Sequence, residues 1–309
     1  MMRKSDAYPV SAQGLQKSLG RDSIYGMLEN LTPFPEVDSL VAEVLAGARA
    51  ILGERLIGMY LDGSLAMGGF DEASDIDFVA VVDRPATEDD FAALRLLHDR
   101  ISAIDVPLAI QLEGFYVPAS TLRRGDPSGV RCPNLERGLG ERLKWVDLDL
   151  GWTIHRHVLH EHGITVVGPN PRTLVDPVTP DELRQAVTMF AGWLGGFSDN
   201  PGQIASRGYQ SYIVLTLCRI LYTVAHGDVV SKATAVRWAR ETVGVRWAHL
   251  IDDAWEGRRG PDGPPAPDAV RETLAFIRYV LGLKEGSDDD HTNACDLLRA
   301  RQPDERDFG

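Results

Sequence analysis

The sequence is short of cysteine and of positive charge, and it has no long apolar run. Its three cysteines, Cys132, Cys218 and Cys295, are odd in number and widely separated along 309 residues. That spacing excludes a disulfide framework and a zinc-binding cysteine pair, and it fits a reducing, cytoplasmic setting. No uncharged stretch approaches the ~18 residues of a membrane-crossing helix, and the N-terminus lacks the apolar centre of a signal peptide. Lys and Arg number 32 against 45 Asp and Glu, giving a net charge of −13. Such a chain is a poor binder of phosphate backbones or anionic lipid, so neither nucleic acid nor membrane is an expected partner. Walker-type and dinucleotide-binding glycine loops are also missing.

What remains is an ordinary soluble composition, 44% hydrophobic and 25% charged, over a length that fits two domains at ~100–200 residues each. Residues 1–35 read as an N-terminal arm. From 36 to 52 the apolar positions Val37, Leu40, Val41, Val44, Leu45, Ala48, Ile51 and Leu52 recur at helical spacing. A strand over 56–61 stops at Asp62 and Gly63, and a second runs from Asp75 to about Val82. Thr87 opens a helix over 87–104 with acids in its first turn, where the macrodipole favours them. The spacing predicts a third strand from Leu108 to Val117, then an irregular bridge over 118–145. The division is therefore an αβ domain over 36–145 and a helical domain over 146–284. Thr179, Pro180 and Glu182 form a capping box with proline at the first helical position. Residues 285–309 hold eight acids and three bases and read as a disordered, solvating tail.

The informative pattern is Gly63-Ser64 followed by Asp75-x-Asp77. Residues two apart in a strand share a face, so Asp75 and Asp77 project together while Ile76, Phe78 and Ala80 face the core. Two adjacent carboxylates repel, and a divalent cation stabilises them. Hard oxygen ligands suit Mg²⁺, which keeps waters and takes substrate phosphates. Gly63 and Ser64 supply close backbone approach and a hydroxyl for a phosphate. Glu113 falls among apolar neighbours in the third strand, where a carboxylate needs a reason; it is a candidate general base for a substrate hydroxyl. In the helical half, Arg219 interrupts an apolar run and has to meet an anion. Lys232 follows the N-cap Ser231 and opposes the helix macrodipole, a conflict that a bound anion between it and the helix amides removes.

These motifs resemble the nucleotidyltransferase superfamily, and Ser74-Asp-Ile-Asp-Phe-Val-Ala-Val-Val82 is similar to the aminoglycoside adenylyltransferases that modify streptomycin and spectinomycin. The stretches 162–169, 174–177, 213–222 and 227–232 extend the likeness into the helical half, over about residues 36–255. The resemblance implies an α+β fold, a nucleotidyltransferase domain with a mixed sheet followed by an all-helical domain, with the active site between them. It implies an enzyme that transfers AMP from Mg²⁺-ATP to a hydroxyl of a small molecule, an aminoglycoside antibiotic. Adenylylation of a protein or another metabolite is the enzymatic alternative, and a non-catalytic nucleotide-binding regulator the alternative of another class. Asp75, Asp77 and Glu113 are then the metal carboxylates, with Glu113 the base. Gly63, Ser64, Ser74, Arg219, Lys232 and Trp255 hold the nucleotide, the last beside adenine. Trp193, Tyr209 and Tyr212 occupy acceptor positions, the two tyrosines standing where relatives carry an acid and a histidine. Asp199 is an acid close enough in sequence to complete a drug site.

Two further features carry less. His155, His157, His160 and His162 read as a solvated helix rather than a metal site, since only 157 and 160 share a helical face. Residues 119–146 hold six Lys or Arg against three acids, which reads as a mobile surface loop. The protein is expected to act as a monomer.

Overall fold

A computed structural model of the chain describes residues 21–124, 127–136, 142–265 and 268–282. The elements in chain order are α1 (Arg21–Leu28), α2 (Pro35–Leu52), β1 (Leu56–Leu61), α3 (Gly63–Ala66), β2 (Ile76–Val82), α4 (Glu88–Ser102), β3 (Leu112–Pro118), β4 (Arg131–Leu135), β5 (Lys144–Asp147), α5 (Trp152–His162), β6 (Ile164–Val167), α6 (Pro171–Leu174), α7 (Pro180–Gly195), α8 (Arg207–His226), α9 (Lys232–Thr242), α10 (Ala248–Gly257) and α11 (Ala269–Leu281). The strands form one sheet in the order β5-β4-β3-β2-β1-β6. Among the described strands only β2 and β3 pair in parallel; the other neighbours are antiparallel, so the sheet is mixed.

The pleat sorts the strand residues between two cores. Met59, Leu61, Ile76, Phe78, Ala80, Leu112 and Tyr116 are buried on the face covered by α2 and α4. Each large aliphatic side chain removed from water there contributes about 1.5–3 kcal/mol. Tyr60, Val79, Val81, Val117 and Leu122 face the other way, toward Trp152 and Leu159 of α5. Asp77 belongs to this second face by alternation with Val79 and Val81. A separate core joins α7 to α11. The helix starts agree with the sequence: Thr87 and Asp90 cap α4 reciprocally, and Thr179 and Glu182 cap α7 in the same way.

Three local expectations change. The strand expected from Leu108 begins at Leu112, because Pro107–Gln111 wind into a 3₁₀ turn with proline at its start. The stretch expected as an irregular bridge adds β4 and β5 to the sheet. Its sequence hid this, since β4 has no β-branched residue and contains Pro133, both poor strand signals. Its bases are also less free than a mobile loop requires: Arg123 pairs with Asp176 at 3.1 Å, Lys144 pairs with Glu136, and Arg131 lies over the Trp145 ring. Finally, β6 pairs with β1 from within the segment read as helical. Of the expected N-terminal arm, α1 buries Ile24 and Leu28 against α2, and residues 1–20 lie outside the described residues. The expected disordered tail, residues 285–309, also lies outside them.

Candidate active site

Parallel pairing of β2 with β3 sets the centre of the site. In that register Asp77 stands directly beside Glu113, and Val79 beside Phe115. The two carboxylates therefore share one face of the sheet, the face turned toward the helical half. Asp75 lies two residues before Asp77, just ahead of β2. Gly63, at the start of α3, adopts φ +57, and a Cβ placed there would lie 1.9 Å from Asp77 Oδ2. Only glycine suits both the left-handed backbone and so close an approach. The next residue, Ser64, carries a buried hydroxyl with no hydrogen-bond partner, the state expected of a group awaiting a ligand oxygen.

Asp62 and His155 complete this wall, and the sequence spacing did not reveal them. Asp62 is 2% exposed and accepts a 2.7 Å hydrogen bond at Oδ2 from His155 Nδ1. Its Oδ1 has no partner. The His155 ring is held by stacking on Trp152 and by an edge contact with Phe115. Desolvation opposes charge on His155, but the Asp62 hydrogen bond and carboxylate hold its pKa above the ordinary value. His157 and His160 also have carboxylate partners, Asp228 and Glu161, and His157 is buried. The helix is thus less solvated than expected, because His155 and His157 find carboxylates in distant segments and His160 finds one in the adjacent Glu161.

Burial, together with the carboxylates of Asp62 and Asp75, pushes Asp77 up to about 7, with His155 and Lys232 acting in the opposite direction. Arg219, within α8, is desolvated, which lowers its pKa against the pull of Asp77, Tyr212 and Asp62. Burial and the charge of Arg219 likewise lower Lys232, which faces Asp75, Asp77 and Glu113. Both cations expected to bind phosphate therefore converge on the carboxylates from the helical side. A cavity of about 490 Å³ opens between the two halves, lined by Asp62, Asp77, Glu113, His155, Tyr212 and Arg219 among others.

Among the described residues no group of three or more His, Cys, Asp or Glu side chains is arranged to hold a metal ion by itself. The donor set still fits Mg²⁺. It is all oxygen, and Asp77 is crowded by two other carboxylates whose repulsion a cation would relieve. Magnesium takes one or two carboxylates, with the rest of its shell from phosphates and water. Asp75, Asp77 and Glu113 are thus neighbours without forming a closed ligand cage.

The remaining expected residues divide. Tyr212 lines the cavity, and desolvation pushes its hydroxyl up to about 12. Tyr209 packs beside it at 5.7 Å between ring centroids. Trp193 is 54% exposed and reaches the cavity wall only through Phe190, on which it stacks. Asp199 lies in the loop between α7 and α8 and is not among the cavity-lining residues. Ser74 is buried, but its hydroxyl donates to Asp71 Oδ1 at 3.1 Å and closes a turn instead of facing a ligand. Trp255 is outside the cavity lining and has the Arg258 guanidinium 4.0 Å above its ring.

Comparison with known proteins matches two separate families along the chain. Residues 45–121 match the nucleotidyltransferase domain family, and residues 173–282 match the aminoglycoside adenylyltransferase C-terminal domain family. An aminoglycoside (3'') (9) adenylyltransferase of Escherichia coli is 26% identical over 263 residues, which span 80% of this chain and 94% of that protein. A spectinomycin 9-adenylyltransferase of Staphylococcus aureus is 21% identical over 266 residues, 82% of this chain and 96% of that one. The fold is similar to the crystal structure of a spectinomycin adenyltransferase from Enterococcus faecialis with ATP and spectinomycin. The TM-score is 0.62 at 18% identity, over 79% of this chain and 97% of that one. The chain therefore carries a nucleotidyltransferase domain, over residues 45–121, followed by a C-terminal domain of the aminoglycoside adenylyltransferase type, over residues 173–282.

Proposed function

We propose that this protein transfers AMP from ATP to a hydroxyl of an aminoglycoside antibiotic and releases pyrophosphate. The observation that carries this reading is the direct pairing of Asp77 with Glu113 under Gly63, opposite Arg219. It supplies a carboxylate pair, a close phosphate approach and a buried cation around one cavity. The named relatives act on this substrate class, and an acid-lined cavity suits a polycationic acceptor: Glu136, Asp147 and Asp149 also border it.

In this mechanism Glu113 accepts the proton of the acceptor hydroxyl as its oxygen attacks the α-phosphorus of ATP. The bond from that phosphorus to the β-phosphate oxygen breaks, and pyrophosphate takes its electron pair. Arg219 and Lys232 hold phosphate oxygens from the helical side, and the Ser64 hydroxyl donates from the sheet side. Asp75 and Asp77 are the residues that would hold Mg²⁺. When bound, that ion neutralises charge on the phosphates. Tyr212, with Tyr209 packed beside it, forms the aromatic side of the acceptor region, and Trp193 backs that wall through Phe190.

Pyrophosphate release with ATP, GTP and CTP across a panel of aminoglycosides tests the reading. ATP-dependent release that requires an aminoglycoside is the expected result. ATP binding without turnover on any of them would move the acceptor to a protein or another metabolite, and absence of nucleotide binding would overturn the assignment.

A further inference from the structure

The loop from Gly68 to Ser74 joins the Gly63-Ser64 turn to Asp75, and the helical half grips it at two points. At the first, Gly69 lies against Ser231, the N-cap residue of α9. A Cβ on Gly69 would come within 2.8 Å of Ser231 Cβ, so only glycine fits without displacement. At the second, Arg258, just after α10, forms a two-pronged ion pair with Asp71. Nη1 donates to Oδ1 at 3.0 Å and Nη2 to Oδ2. The Arg258 side chain is 11% exposed, and its guanidinium lies over the Trp255 ring.

Asp71 also builds the turn that delivers the catalytic strand. Its Oδ1 accepts from the Ala73 amide and the Ser74 hydroxyl, both at 3.1 Å. Its own amide donates to Ser74 Oγ at 3.0 Å, and its carbonyl accepts from the Ser74 amide at 2.9 Å. Burial opposes charge on Asp71, but the Arg258 hydrogen bond and the turn's donors outweigh it. One contiguous path thus runs from Trp255 through Arg258, Asp71 and Ser74 to Asp75. The second contact, Gly69 on Ser231, adjoins Lys232, the cation that faces Asp75 and Asp77.

We infer that the Asp71–Arg258 pair is a positioning device that fixes the nucleotide-facing cations of the helical half against the carboxylates of the sheet. Fork-shaped arginine–carboxylate contact sets orientation as well as distance, which suits it to holding two domains in register. The inference rests on the nucleotide reading above for its consequence in turnover. Its mechanical content, order in residues 69–75, is independent of any ligand.

Three variants of the full chain test it. Asp71→Asn keeps an oxygen for the Ala73 and Ser74 bonds while removing the charge, so it loosens the seam and spares the turn. It also leaves Arg258 over Trp255. Arg258→Gln removes the other partner, and Gly69→Ala wedges the second contact. Each is expected to weaken ATP binding in calorimetry and to lower kcat, by roughly 10- to 100-fold in turnover for a shift of about 1 Å. The acceptor KM should stay close to wild type. Asp71→Asn combined with Arg258→Gln should lose no more than either alone, because both break one contact. Amide exchange over residues 69–75 should rise in every variant, with or without ATP.

Multiplicative losses in the double variant, or Asp71→Asn with wild-type ATP affinity and wild-type exchange, would overturn the inference. Losses that simply follow a fall in Tm would also overturn it. If the wild-type protein binds no ATP and Asp71→Asn still raises exchange over 69–75, positioning stands and the nucleotide reading fails.

Discussion

Gly63→Ala is the sharpest single perturbation of the carboxylate site. Two costs can be worked out separately. The residue sits at φ +57, where a side chain costs about 1–2 kcal/mol of backbone strain. Its Cβ would also fall 1.9 Å from Asp77 Oδ2 and 2.5 Å from Cγ, whereas ordinary contact begins at 3.4 Å. The Asp77 carboxylate must therefore retreat by about 1.5 Å, and a displacement near 1 Å costs up to ~10²-fold in rate when it moves a reacting group. Gly53 is a built-in control. It has the same φ of +57 at the other end of β1, and a Cβ there would meet nothing within 4 Å. Gly53→Ala should thus lose stability from backbone strain alone, by a few degrees in Tm at about 2–4 °C per kcal/mol, and Gly63→Ala should add to its own strain the cost of moving Asp77. Only Gly63→Ala should lose turnover, by about 10²-fold in an ATP-dependent pyrophosphate assay. Equal turnover in the two variants would refute the claim that Gly63 exists to seat Asp77.

Other expectations concern stability and nucleotide affinity. His98 is buried against Tyr116 at 2.9 Å, and burial lowers its pKa from 6.5 to about 4. The unfolded chain then binds the extra proton first, so stability is complete above pH 6.5 and falls as pH drops from there to about 4, by roughly 3 kcal/mol. Denaturant titrations of wild type and His98→Gln should differ in slope through that window, and parallel curves would exclude the histidine as their cause. Arg219→Gln should weaken ATP binding by about 1.5–3 kcal/mol, the worth of a charge-assisted hydrogen bond, or roughly 10- to 150-fold in Kd. An unchanged Kd would show that Arg219 serves the carboxylates alone.

The legible part of this protein was the part written in short-range periodicity. Alternation put Asp77 and Glu113 on neighbouring strands, and the register of β2 and β3 sets them side by side, even though β3 starts four residues later than its apolar run and Asp75 lies just ahead of β2. The helix start at Thr87 and the capping box at Thr179 were readable because all the atoms of each cap come from four consecutive residues. The unread part depends on distance in sequence. Asp62 and His155 are 93 residues apart, and Asp71 and Arg258 are 187 apart; no spacing rule connects such pairs. Ser74 illustrates a different limit. Its place beside Asp75 matched a phosphate role, but a hydroxyl next to an aspartate can close a turn equally well, and here it does. Strand β4 escaped because its neighbours β3 and β5 hold it in the sheet from both sides despite its proline.

In the mechanism proposed above, Glu113 moves the proton while Asp75 and Asp77 serve the metal and nucleotide. Calorimetric ATP binding in the presence of Mg²⁺, measured alongside turnover for Glu113→Gln, Asp75→Asn and Asp77→Asn, tests that division most directly. Glu113→Gln should lose on the order of 10²–10⁴ in turnover while its ATP affinity stays near wild type. The two aspartate variants should lose both. Equal loss of ATP binding in all three, or wild-type turnover in Glu113→Gln, would contradict the division of roles.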